Sequence, residues 1–217
     1  MCRKPYSLPM GSSIAILTGD LIGSTRAAPG RVEATMTLLA ETAAEVGDDT
    51  RFTRYRGDGW QMALEKPGDC LRACLFILAR LRANREALPT RIAVGIGTEY
   101  PTDAADLSTA MGPAFTASGR ALEQMDKARI LTISGAGVED FRRLAFAFAE
   151  DYARRWSAEQ AEAMALALHP DAPTQDQIAA RLRITRQAVG SRLRAAGYRI
   201  LSQASQAFLA DHLKDTP

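Results

Sequence analysis

Only two histidines and three cysteines occur in 217 residues, and these scarcities close off several chemistries. Cys2, Cys70 and Cys74 form an odd set, which is no disulfide framework. Cys70 and Cys74 are four apart and would share one face of a helix. Neither His169 nor His212 lies near them in sequence, so buried thiols in a reducing compartment are expected rather than a zinc site. No nucleophile is set with histidine and aspartate, no Walker loop occurs, and no Gly-x-Gly-x-x-Gly follows a strand-like run. Uninterrupted apolar runs of spanning length are missing too, and the first residues carry Pro5, Ser7 and Pro9 in place of an apolar signal segment. A cytoplasmic protein without a membrane segment is the expectation. Net charge is also scarce: a formal +2 is too small to imply nucleic acid by itself.

What is present is an ordinary globular balance, 47% hydrophobic with 24% charged residues, enough to build a real core. The apolar run Ser13–Thr18 reads as a buried strand that stops at Gly19-Asp20. Val32, Met36, Leu39, Ala43 and Val46 recur at helical spacing, and Gly47-Asp48-Asp49 ends that helix. Residues 51–56 and 60–64 form two strand-like runs around Gly57-Asp58-Gly59, which predicts a hairpin. A helix follows Pro67-Gly68-Asp69 to about Ala87, then a strand at 92–96, a polar loop at 99–109, a helix at 114–125 and a strand at 129–133. The first six elements give an α+β fold, a ferredoxin-like βαββαβ sheet with helices on one face. In it the first strand parallels the second, so Asp20 and the turn holding Asp58 meet at one sheet edge. Two carboxylates beside Gly23, Ser24 and Thr25 suit Mg²⁺ or Mn²⁺ with a nucleotide, although Gly-Asp turns are also ordinary turn chemistry.

Beyond about residue 138 the pattern is helical throughout. Phe141, Leu144, Ala145, Phe148 and Tyr152 mark one side of a connecting helix, 138–156. Ser157 with Gln160 forms a capping box at the start of the next helix. The division expected is 1–137, a connecting helix, and an all-α domain over 157–217. From Thr174 to Arg199 there are six arginines against one acid, Asp176. Residues 174–194 have the rhythm of a helix-turn-helix: Thr174 and Thr185 cap two helices, Ile178, Ala179, Leu182, Val189 and Leu193 face inward, and Ile184 plugs the turn. Arg183 stands where the turn usually has glycine, at a cost of ~1 kcal/mol. Thr185, Arg186, Gln187, Ser191, Arg192 and Arg194 are the candidate contacts to double-stranded DNA, since arginine reads guanine and glutamine reads adenine bidentately. A helical packing or dimerisation unit with a solvated arginine face is the alternative.

Four segments resemble class III nucleotidyl cyclase domains: Asp20-Leu-Ile-Gly-Ser-Thr25, Gly57-Asp58-Gly59-Trp60, Arg54 four residues before Asp58, and Gly112-Pro-Ala-Phe-Thr-Ala-Ser-Gly-Arg120. The resemblance implies metal ligation by Asp20 and Asp58, phosphate contacts from Gly23, Ser24 and Thr25, purine reading by Arg54, and catalytic roles for Thr116 and Arg120. It also departs from the family: Thr116 replaces an asparagine and Arg54 a lysine. Binding without efficient turnover follows from those departures. At full length the chain resembles the SatD family, a cyclase-like domain followed by a helix-turn-helix, through Gly19-Asp20, Gly57-Asp58, Val94-Gly-Ile-Gly97, Gly112-Pro113-Ala114 and Arg120-Ala-Leu-Glu123. The implied partners are a purine nucleotide, DNA and a second copy of the chain. Three functions stay open: a nucleotide-binding regulator of DNA, a Mg²⁺-dependent cyclase or phosphohydrolase, and a DNA-binding or assembly protein on a cyclase-like dimer platform.

Overall fold

The computed structural model describes residues 13–55, 57–97, 107 and 110–211. Its sheet has five strands: β1 (Ile14–Leu21), β2 (Arg51–Tyr55), β3 (Gly59–Leu64), β4 (Thr90–Gly97) and β5 (Leu131–Gly135), in the order β2-β3-β1-β4-β5. β1 is antiparallel to both β3 and β4, β2 is antiparallel to β3, and β5 adds parallel to β4 at the edge. The first four strands thus have the expected split βαβ order.

The period of two in each strand decides what covers each face. Ala15, Leu17 and Leu21 of β1, Trp60, Met62 and Leu64 of β3, and Ile92, Val94 and Ile96 of β4 are buried on one face. α1 (Pro29–Val46) and α2 (Cys70–Ala83) cover it. Ile14, Ile16, Ala63, Ala114 and Phe115 form a separate cluster on the other face, where α3 (Pro113–Gln124) lies across β4, β1 and β5. The sheet is therefore covered on both sides, a correction to the expectation of helices on one face. Glycine makes this possible: a Cβ at Gly95 would lie 2.0 Å from the Ala114 carbonyl oxygen, and one at Gly97 would lie 2.5 Å from the Ala114 nitrogen. A bare stretch of β4 lets the helix backbone rest on the strand. Thr18 and Ser118 fix the contact with a buried 2.8 Å hydrogen bond between their hydroxyls.

β1 runs through Gly19-Asp20 to Leu21 instead of stopping before them. Gly19 is a close-approach glycine, because a Cβ there would be 2.4 Å from the Trp60 ring and 2.6 Å from the Arg91 carbonyl oxygen. Asp20 is consequently a strand residue, opposite Gly59 on one side and Arg91 on the other.

The C-terminal third forms α4 (Asp140–Arg155), α5 (Ala158–Ala167), α6 (Gln175–Leu182), α7 (Arg186–Ala195) and α8 (Tyr198–Ala210). Both reciprocal caps, Ser157 with Gln160 and Thr174 with Gln177, are formed. One continuous buried cluster joins the sheet, α2 and these helices, and includes Trp156, Met164, Ile178, Val189, Leu193 and Phe208. α2 carries the junction, buried against the sheet on one side and α5 on the other. Arg72 of α2 donates to the carbonyls of Leu168 (3.0 Å) and Val46 (3.2 Å), and Arg82 to that of Trp156 (2.9 Å). The indole of Trp156 donates in turn to the Ala196 carbonyl at 2.9 Å. α4 turns Phe146, Ala149 and Ala153 inward and leaves Phe141, Leu144 and Phe148 more than half exposed. The inward stripe is thus shifted around the helix from the one expected. Two polar residues share the buried side: Arg142 pairs with Asp211, and Glu150 accepts from Arg129 and from the Ile130 N–H.

Candidate functional site

Asp20 and Asp58 come together at one sheet edge, as the topology predicts. Asp20 lies opposite Gly59, and the Leu21 N–H donates to the Asp58 carbonyl at 3.1 Å. Gly57 takes the left-handed φ of 75° that opens the hairpin turn. Gly23, also left-handed at φ 79°, leads into the short 3₁₀ turn Ser24–Arg26. The Ser24 hydroxyl donates to a carboxylate oxygen of Asp58, tying this loop to the hairpin. Thr25 and Arg26 are exposed beside it. Beneath, Trp60 donates through its indole N–H to the Thr90 hydroxyl (2.9 Å), and that hydroxyl donates to the Asp20 backbone oxygen (2.8 Å). The edge is held rigidly from below.

Arg91 is the residue that sequence reading missed. Its guanidinium engages both carboxylate oxygens of Asp20, from Nε at 2.9 Å and from Nη2, and this contact raises the arginine's own pKa. The signal was available in β4, where Arg91, Ala93, Gly95 and Gly97 alternate with Ile92, Val94 and Ile96. Such alternation puts Arg91 on the face of Thr18 and Asp20, one strand away. A hard divalent cation takes six or more oxygen ligands. Both Asp20 oxygens are taken by Arg91 and one Asp58 oxygen by Ser24, and among the described residues no group of three or more His, Cys, Asp or Glu side chains gathers as a metal site. As the chain stands, these residues do not fit a resident Mg²⁺ or Mn²⁺.

The remaining cyclase-like positions lie elsewhere. Arg54 is on the α1 face of β2, where it pairs with Glu33 at 2.7 Å and donates to the Gly57 carbonyl at 2.7 Å. That contact raises the Arg54 pKa and lowers that of Glu33. Asp20 faces the other way, towards the α3 side. Thr116 and Arg120 are exposed on the flank of α3 above β5, two strands from β1. Within one chain they do not join the two aspartates.

The second candidate is the outer face of α6 and α7. The link between them is short, Arg183-Ile184-Thr185, with Arg183 in the left-handed conformation at φ 54° and Thr185 capping α7 through the Ala188 N–H at 3.1 Å. Gln175, Arg186, Gln187, Gly190, Ser191 and Arg194 line a shallow groove of about 450 Å³ on this face. Arg186 has a loose partner in Asp176 at 3.7 Å, both well exposed. Arg192 points away from the groove, to Glu162 of α5 at 3.1 Å.

No family model matches the chain, and no curated protein matches it. Among solved structures, it is similar to the crystal structure of the catalytic core of a rhodopsin-guanylyl cyclase with converted specificity in complex with ATPαS. The identity is 16% and the TM-score 0.43, over 56% of this chain and 77% of that one. Among the described residues, no helix is long and apolar enough to cross a membrane.

Proposed function

We propose that this chain is a nucleotide-binding regulator that contacts double-stranded DNA through α6 and α7, arranged as a helix-turn-helix. The observation that carries the reading is the outer face of α7. Arg186, Gln187, Ser191 and Arg194 are solvent-exposed there, while Val189 and Leu193 hold the opposite face in the core. Two guanidinium forks and an amide on one face of a capped helix match what the major groove offers. Arg181, Arg183 and Arg199, exposed on the flanks, suit phosphate contacts. Arg192, anchored on Glu162, orients α7 against α5. A two-fold dimer would present two such helices to two half-sites.

The test is fluorescence anisotropy with a generic duplex across a salt series. Wild type is expected to bind with a steep negative salt dependence. The double variant R186A/R194A should flatten the slope of log K against log salt by roughly 1.8, about 0.9 for each lost phosphate or base contact. No binding at low salt would remove the DNA reading and leave α6 and α7 as a packing unit.

For the nucleotide, the supporting observation is the left-handed Gly23 followed by Ser24 locked onto Asp58, which exposes a tight backbone turn ending in the exposed Arg26. Phosphate groups are held by such turn N–H groups and nearby guanidinium charge. With Asp20 engaged by Arg91, the expected binding needs no divalent ion. ATP or GTP at a hundred times its Kd should stabilise the fold by roughly 2.7 kcal/mol in the presence of EDTA. Gly23→Val, which holds φ 79° only under strain, should lose that stabilisation. An absence of any shift in wild type would confine the function to DNA.

A further inference from the structure

α4 presents an apolar stripe to solvent on the side away from the core. Phe141, Leu144 and Phe148 are 56%, 55% and 60% exposed. At 3.6 residues per turn they fall within about 60° of the helix circumference. Single exposed apolar residues are ordinary on a protein surface, whereas three large ones in a row mark a contact site. The stripe cannot roll inward. Phe146, Ala149 and Ala153 are buried on the far side of the helix. Arg142 is paired with Asp211 and Glu150 with Arg129, which fixes the rotation of α4 about its axis.

The exposed charge along this side of the helix has an order. Asp140, Arg143, Asp151 and Arg155 follow one another as acid, base, acid, base. Within the chain they form the short-range pairs Arg143–Asp140, at 3.0 Å, and Arg155–Asp151. All four side chains are well exposed, and pairs of this kind on one helix contribute little. Both pairs are therefore open to a better partner. Each pair is also neutral, so the stripe carries no charge of one sign to attract a nucleic acid or an anionic lipid surface.

Read backwards, the same order becomes base, acid, base, acid. A second copy of α4 laid antiparallel along the first sets Asp140 opposite the second copy's Arg155, and Arg143 opposite its Asp151. Each contact then occurs twice. The two pairings share almost the same midpoint in sequence, and Phe148 stands at it. The apolar stripe and the charge order thus point independently to one axis. Phe148 meets its own copy there, while Leu144 falls opposite the second copy's Tyr152.

We propose that α4 pairs with a second copy of itself, antiparallel about a two-fold axis beside Phe148. An isologous contact of this kind satisfies both copies with one surface. The helix follows β5 and lies outside the four cyclase-like segments, so the pairing is independent of them. It needs neither the nucleotide nor the DNA reading. The six half-exposed apolar side chains bury on the order of 600 Å², at ~100 Å² each. With the charged rim added, the interface belongs among the smaller, concentration-dependent ones.

The test is sedimentation velocity of the full chain from low micromolar to millimolar concentration, without DNA or nucleotide. Wild type is expected to pass from monomer to dimer across this range. L144E/F148E should stay monomeric throughout, with helical content unchanged by circular dichroism, because both side chains already face water. D140K and R155E each set like charges against one another across the axis, and each should weaken association about threefold or more. D140K/R155E should restore it towards wild type. No single chain can give that rescue, since the two residues are about 22 Å apart along the helix. A wild type that stays monomeric at millimolar concentration would overturn the proposal and leave the stripe to another protein or a lipid surface. A dimer that L144E/F148E does not weaken would overturn it by placing the contact on another face. Failure of the double charge reversal to restore association would overturn the antiparallel arrangement.

Discussion

Arg91 shows how a single unforeseen side chain changes the chemistry of a site that was otherwise foreseen. The two aspartates were legible as neighbours because glycine spacing and strand order place them at one edge. Their pairing state was not, because a local motif says nothing about which residue of a later strand stands opposite. Arg91→Met should free both oxygens of Asp20 and, beside Asp58, create a site for a hard cation. Mn²⁺ is then expected to raise the melting temperature of the variant and not that of wild type. Equal stabilisation of the two proteins would show that the arginine does not keep the ion out.

The thiols make a second case at this scale. Burial pushes Cys70 up from 9.0 to about 12, and Cys74 is raised well above its ordinary value by burial first and by Cys70 next. Each thiol then keeps its proton in the folded state when the unfolded chain has lost it. Stability from this source is complete below pH 9 and falls as pH rises towards 12. Urea midpoints between pH 8 and pH 11 should decline in wild type, and less steeply in C70A/C74A. Identical slopes would assign the alkaline loss to other groups.

At the level of elements, helices and strands were mostly readable from period and caps, and their faces were not. α4 is the plainest example: it has two competing apolar stripes, one with Phe141, Leu144 and Phe148 and one with Phe146, Ala149 and Ala153. Sequence counts apolar positions, whereas the fold chose the stripe whose polar members, Arg142 and Glu150, find partners in Asp211 and Arg129. α3 was placed on the wrong side for a related reason. The Gly95–Gly97 row that receives it reads as weak strand until the helix above it is known. Gly95→Ala should cost roughly 1–3 kcal/mol, since the added methyl meets backbone that cannot yield. Gly119→Ala, on the open side of the same helix, should instead stabilise by about 0.5–1 kcal/mol. Chemical denaturation of the pair separates packing from propensity.

Within α7, Gly190 poses the same contrast against function. An added methyl would meet only the Gln175 side chain, at 3.6 Å, so Gly190→Ala should raise the melting temperature. It also adds bulk to the lining of the groove proposed to face DNA, and so should weaken duplex binding. A variant that gains both stability and affinity would mean that α7 meets DNA on another face.

Across the whole molecule, two parts distinct in sequence are fused in space. The change from alternating strands to continuous helices near residue 138 was clear in the pattern, and the shared core was not, since α2 looks like any buried helix until both of its sides are seen covered. Truncation after Trp156 would remove α5 from α2 together with the carbonyl partner of Arg72. The shortened chain is expected to aggregate or to lose cooperative unfolding, and the full chain to melt in one transition. A well-folded fragment 13–156 would contradict this.

Arg72, Arg82 and Trp156 stitch the C-terminal helices, α6 and α7 proposed to face DNA among them, to the sheet without slack. A DNA reader on a tether samples many spacings and tolerates half-sites placed at various intervals; on the proposed function, this one is machined to its frame. In any paired assembly, the gap between the two reading heads becomes a constant of the protein, inherited from how the frames meet. Adding half a helical turn of DNA between two half-sites would then put one head on the wrong side of the duplex, with no loop able to reach around.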